Sequence, residues 1–222
     1  VGQRVALITG ASRGLGYSVA IELSKQGIHI LALSRTIGAL EELAGEVQEN
    51  NGTITLIPLD ITDEKGLQGM SHSMFERWGK LDILIHGVGT SPPLSPVITI
   101  STKDFDRVIS VNTKSTQRII SMMDPLLKLS KDGVAIFVDD DRDNNAKKFL
   151  GAYLASKAAA RELIQSYCLE SKRIGPKVFI FKPQPMPTAL RKRFYPGEKS
   201  LGLSSCQKEA KKLLNLISFV KS

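Results

Sequence analysis

The sequence predicts an α/β fold: one domain built on a doubly wound parallel sheet. Six short runs rich in Val, Ile and Leu are spread along the 222 residues, and none shows the strict polar alternation of a half-exposed strand. Amphipathic stretches separate them in a regular strand–helix order. No composition break or linker divides the chain, so residues 1–222 are expected to share one core.

Taken in order, VALIT at 5–9 opens the sheet and a helix follows at 15–26. IHILALS at 28–34 leads into a helix at 37–50, and ITLIPL at 54–59 into one at 63–78. In the last of these Thr62 or Asp63 is placed to cap, and Leu67, Met70, Met74 and Trp78 recur at helical spacing as core contacts. DILIHGV at 82–88 precedes a long helical stretch, 102–129. Pro125 should kink or break it, because proline has no N–H and crowds the preceding turn. VAIFV at 134–138 precedes a helix at 152–173, and KVFIFK at 177–182 precedes a final helix at 205–218. Such repeats imply right-handed crossovers.

Composition narrows the function classes. Apolar residues make up 42% and charged residues 23%, as in globular proteins. No apolar stretch approaches the ~20 residues of a membrane span, and no signal-peptide pattern precedes the first strand. The chain does not open on Met, so residues can precede Val1. Only Cys168 and Cys206 occur, which points to a reducing compartment and a cytoplasmic location. His29, His72 and His86 lack metal-ligand spacing, and no metal is expected. The net charge is +8, but its tightest clusters, Arg191-Lys192-Arg193 and Lys211-Lys212, are not interleaved with aromatics. Nucleic acid is therefore not an expected partner, whereas a basic surface suits a polyanionic small molecule.

Three motifs carry chemistry. Gly10, Gly14 and Gly16 form TGxxxGxG directly after the first strand, opening a helix. Glycines let backbone approach a pyrophosphate, and the helix N-terminus offers N–H groups and a positive dipole end. At the end of the second strand, where a carboxylate would bind a ribose diol, the chain has Ser34 and then Arg35. Arg13 also projects from the glycine loop, and two guanidinium groups favour the extra phosphate of NADP(H) over NAD(H). Third, Tyr153 and Lys157 in YLASK share one helix face, where an ammonium stabilises phenolate and makes tyrosine a better acid–base group.

Together these residues resemble the classical short-chain dehydrogenase/reductase family over nearly the whole chain. TGASRGLG is similar to its cofactor loop, which would place Ser12 and Leu15 beside the glycines and Arg13. PLDITD looks like the stretch whose Asp60, with Ile61 beside it, meets the adenine. DILIHGVG, with Gly87, stands in place of the Asn-Ala-Gly segment. SVNTKS carries Asn112, matching the Asn that holds a helix kink and a relay water. In KPQPMPT, Pro183 and Thr188 stand for the Pro and the Thr that contacts the nicotinamide carboxamide. The resemblance implies a Rossmann fold with strand order 3-2-1-4-5-6, and a homodimer or homotetramer. It also implies NADP(H)-dependent hydride transfer to or from a small carbonyl or alcohol, through Tyr153, Lys157 and Asn112.

The chain also departs from the family. The family's catalytic Ser lies about thirteen positions before the Tyr, and here that position is Asp140, inside Asp139-Asp140-Asp141. An ionised carboxylate accepts hydrogen bonds but does not donate them, and it opposes negative charge developing on a substrate oxygen. Gly87 and Val88 replace Asn-Ala, and Gln184 replaces the Gly after Pro183. Three readings stay open: a reductase slowed or altered by Asp140; an active one in which polar 139–148 loops away and Tyr153 works alone; and a pseudoenzyme or cofactor sensor that binds dinucleotide without turnover. A short substrate lid is expected around 188–203, and no run is left for the family's seventh strand before Ser222.

Overall fold

The computed structural model describes residues 2–140 and 147–218. Asp141, the last of the triple aspartate, lies outside the described residues, as does most of the expected loop 139–148. Six parallel strands form one sheet: β1 (Val5–Thr9), β2 (His29–Ser34), β3 (Ile54–Pro58), β4 (Ile83–His86), β5 (Val134–Val138) and β6 (Lys177–Phe181). Their order is β3-β2-β1-β4-β5-β6. The pairing registers run Val5 with His29, Ala6 with Ile83, Ile83 with Val134 and Val134 with Lys177.

Helices cover both faces. On one side α1 (Gly14–Ser24), α2 (Ile37–Glu49) and α8 (Cys206–Ser218) pack Val19, Leu23, Leu40, Leu43 and Leu213 against Ala6 and Ile8. On the other, α3 (Glu64–Trp78), α5 (Ser115–Lys128) and α6 (Gly151–Glu170) pack Leu67, Met74, Leu126 and Ile164 against Val5, Leu7 and Phe137. Neighbouring residues of the inner strands β1, β2, β4 and β5 thus point to opposite, equally dry faces, which is why these strands read as unbroken apolar runs. Asp63 caps α3, accepting from the Gly66 N–H at 3.0 Å, and Gly79 ends that helix in the left-handed conformation.

The stretch 102–129 is not one helix with a break at Pro125. It consists of α4 (Thr102–Ile109), a π-helical turn (Ser110–Lys114) and α5, and α5 runs through Pro125 to Lys128. Tertiary contacts override the proline. Leu126 and Leu127 just beyond it are buried, and the Leu126 carbonyl accepts from the Leu81 N–H at 3.0 Å. The interruption falls instead at Asn112, whose side chain is bonded to a neighbouring loop. A short helix that the sequence reading did not foresee, α7 (Ala189–Phe194), lies in the lid region.

Candidate active site

β1 and β4 are neighbours, but their onward connections run to opposite sides of the sheet, and a cleft of about 950 Å³ opens there at the carboxyl ends of the strands. Its lining includes Gly10, Ser12, Arg13, Gly14, Leu15 and Gly16 from the β1–α1 turn, and Arg35, Asp60, Ile61 and Gly87 from the ends of β2, β3 and β4. Asp140, Tyr153, Lys157, Pro183 and Thr188 line its other end. Asn112 does not line it.

The glycine turn is built for close backbone approach. Gly10 has φ +75°, and a Cβ on Gly16 would fall 2.4 Å from the Gly10 carbonyl oxygen. Arg13 is the N-cap residue of α1 and makes no side-chain cap bond, so nothing from that side chain covers the first-turn N–H groups. A pyrophosphate fits this cradle. At the end of β2, Arg35 lies 3.7 Å from Asp60. With 56% and 43% of the two side chains exposed, that pair is weak, and the guanidinium is able to turn to a stronger anion. Burial disfavours ionisation of Asp60, but the Thr62 N–H and hydroxyl, with Arg35 and Arg107, hold its carboxyl below the usual range.

At the far end, Tyr153 is buried beneath Phe194 of α7, their ring centroids 4.9 Å apart. Thr188 caps α7 by accepting from the Arg191 N–H at 3.2 Å. Arg193 ties α7 to the loop after β4, donating to the Ser91 carbonyl at 3.0 Å. The Tyr153 hydroxyl donates to Asp140 Oδ2 at 2.9 Å. Asp140 therefore does not loop away to leave Tyr153 working alone: its carboxylate meets the phenol. Lys157, one turn further along α6, donates to the Val138 carbonyl at 3.2 Å and stands 3.6 Å from Asp139 Oδ1. Burial lowers the pKa of this ammonium, while Asp139 and Asp140 work against that shift.

Asn112 serves the site from behind. Its amide accepts from the Thr90 N–H at 2.8 Å and donates to the Thr90 carbonyl at 2.9 Å and to Ser156 Oγ at 2.8 Å. Both the loop after β4 and helix α6 are thereby pinned to the π turn.

Three participants escaped the sequence reading. His86, at the end of β4, lies in a directed chain. Thr116 spends its hydroxyl proton on the Asn112 carbonyl at 2.8 Å, so its oxygen accepts from His86 Nε2–H at 3.2 Å. His86 Nδ1 then accepts from the Thr9 hydroxyl at 2.8 Å, which fixes the neutral tautomer. Burial, with a smaller contribution from Lys157, pushes the ring down to about 3. Glu209 of α8 is fully buried and accepts from the Gln184 N–H at 3.1 Å, from Ser204 at 2.6 Å and from Lys212 at 2.7 Å. It braces the loop that carries Pro183 and Thr188. Arg161 meets Asp139 at 2.5 Å, and its spacing was the one available signal, since Tyr153, Lys157 and Arg161 recur every fourth residue.

Among the described residues no cluster of three or more His, Cys, Asp or Glu side chains is arranged to hold a metal, and no helix is long and apolar enough to cross a membrane. A family model described as short chain dehydrogenase matches residues 4–199. The chain is 27% identical over 170 residues to an NADPH-dependent pterin aldehyde reductase of Arabidopsis thaliana, covering 77% of this chain and 70% of that protein. It is 30% identical over 200 residues to an uncharacterised oxidoreductase of Staphylococcus epidermidis, covering 90% and 85%. It spans 60% and 14% of the lengths of two further curated relatives. An alcohol dehydrogenase from Thermococcus sibiricus, solved with 5-hydroxy-NADP, superimposes with a TM-score of 0.87 at 25% identity, covering 98% of this chain and 91% of that one.

Proposed function

Since the chain belongs to the short-chain dehydrogenase family of oxidoreductases, we propose that it transfers hydride between NADP(H) and a small carbonyl or alcohol substrate. The observation that carries this reading is one cleft holding both the glycine cradle with Arg13 and Arg35 and, at its other end, Tyr153 and Lys157. The bound nicotinamide would supply or receive the hydride. Gly10, Ser12, Leu15 and Gly16 would take the pyrophosphate side, with Asp60 and Ile61 at the adenine, Arg13 and Arg35 at the extra phosphate, and Gly87, Pro183 and Thr188 toward the nicotinamide. Two similar proteins, the NADPH-dependent pterin aldehyde reductase and the alcohol dehydrogenase solved with 5-hydroxy-NADP, support the same preference over NAD(H). A cytoplasmic homodimer or homotetramer belongs to the same reading.

Tyr153 is the proton donor and acceptor in this account. Its hydroxyl proton points at Asp140, so delivery to a substrate oxygen requires that proton to leave the carboxylate. Asp140 keeps the phenol oriented but offers no donor of its own while ionised. Loss of such a donor lowers rates by about 10²–10³. NADPH oxidation across a panel of aldehydes and ketones tests the reading. Turnover should be abolished by Tyr153→Phe and raised on the order of 10² by Asp140→Ser. Turnover that survives Tyr153→Phe, or is absent from the wild type and Asp140→Ser alike, contradicts it.

A further inference from the structure

The end of β5 meets one stripe of α6 in three successive pairings. The Val138 carbonyl and Asp139 take Lys157, at 3.2 Å and 3.6 Å; Asp139 also takes Arg161, at 2.5 Å; and Asp140 takes Tyr153, at 2.9 Å. Asp139 is only 3% exposed, and its own N–H donates to the Phe181 carbonyl at 2.9 Å, so its backbone is fixed to β6. The Lys157 and Arg161 side chains are 14% and 17% exposed.

We propose that Asp139 is a positioning residue for Lys157, and that Arg161 is the counter-cation that lets this active site hold the buried Asp139 carboxylate beside Lys157. The inference rests on the hydride-transfer reading for its purpose, but not for its geometry. Asp139 is a nearly fully buried carboxylate that the Lys157 ammonium approaches only to 3.6 Å, and buried charge without a close partner is costly. Arg161, four residues beyond Lys157, supplies the second positive charge on the same helix face. Its guanidinium engages Asp139 Oδ2 and leaves Oδ1 toward Lys157. The ammonium is thereby drawn to the mouth of the sheet, one turn of α6 from Tyr153, where Asp139 and Asp140 oppose the effect of burial on its charge. The other titratable and charged groups around it are Asp140 beyond β5, Tyr153 on α6 and His86 at the end of β4. Arg191 of the lid is also coupled to Asp140.

The two partners act on Lys157 in opposite senses, which separates positioning from mere structural support. Competitive acylation with acetic anhydride, followed by peptide mass spectrometry, reads the fraction of free amine at Lys157 against pH and needs neither cofactor nor substrate. Asp139→Asn should move the labelling profile of Lys157 to lower pH, Arg161→Gln should move it to higher pH, and Asp139→Glu should restore the wild-type profile. Local unfolding would instead move it toward that of an ordinary lysine in every variant, and circular dichroism checks each fold. If Asp139→Asn does not fold, Arg161→Gln is read against Arg161→Lys, which keeps the positive charge and should keep the wild-type profile, whereas the same upward move in both would overturn the proposal. A profile unmoved by either substitution, or moved the same way by both, overturns the proposal. Because the readout is independent of turnover, a protein that reduces no carbonyl still gives a decisive answer.

Discussion

His86 shows how one residue couples the site to the stability of the chain. It is buried, neutral and bonded at both ring nitrogens, with its pKa near 3 in place of the usual 6.5. Below about pH 6.5 the unfolded chain therefore binds a proton that the folded chain refuses, so stability is complete above that pH and declines as pH falls toward 3. The slope reaches at most about 1.4 kcal/mol per pH unit for one such group. His29, lowered by burial and by Arg77, adds the same sign. Asp60, Asp82 and Glu209 have depressed pKa values and lose their contribution only at lower pH, so the range of about 5 to 6.5 isolates the histidines. Urea midpoints should drop between pH 7 and pH 5, and His86→Asn should flatten part of that drop. An unchanged slope in the variant would mean that His86 is not the group responsible. Nothing in the sequence announced this network, because Thr9, His86 and Thr116 meet only when β1, β4 and α5 are assembled. Asp140 was different. Its distance from Tyr153 along the chain was countable in advance, and the structure puts the two groups in contact.

At the scale of elements, what was legible follows the physics of burial. The four inner strands were readable because both faces of each are dry, so each appears as an apolar run, and the order of strands and helices constrains the topology. Pro125 misled because local propensity loses to the packing of Leu126 and Leu127. Helix α7 escaped because ALRKRF is only six residues long and its apolar stripe is the single pair Leu190 and Phe194; a Thr188 cap and the Phe194–Tyr153 contact hold it. The glycine turn was legible and carries a sharp expectation. A side chain at Gly16 collides with backbone, not with a flexible side chain that could give way. Gly16→Val should cost about 1–3 kcal/mol of stability and weaken NADPH binding by about tenfold or more. A variant with unchanged affinity would show that the β1–α1 turn does not hold the pyrophosphate.

The whole molecule arranges one sheet so that residues from all six strand ends converge. The residues proposed to bind the dinucleotide, from the ends of β1, β2 and β3, and those proposed to carry the chemistry, from β5, α6 and the loop after β6, occupy opposite ends of one cleft. The basic character of the chain is relevant here because Arg13, Arg35 and Arg107 all line that cleft, and β2 ends on Ser34 and Arg35 where a diol-binding carboxylate would stand. The account therefore depends first on which dinucleotide the cleft accepts. Titration of the purified protein with NADPH and NADH, followed by nicotinamide fluorescence, measures this directly and requires no substrate. The prediction is tight binding of NADPH and at least about tenfold weaker binding of NADH, the loss expected when one charge-assisted phosphate contact is removed. Equal or tighter binding of NADH would contradict the role given to Arg13 and Arg35, and binding of neither would contradict the hydride-transfer reading itself.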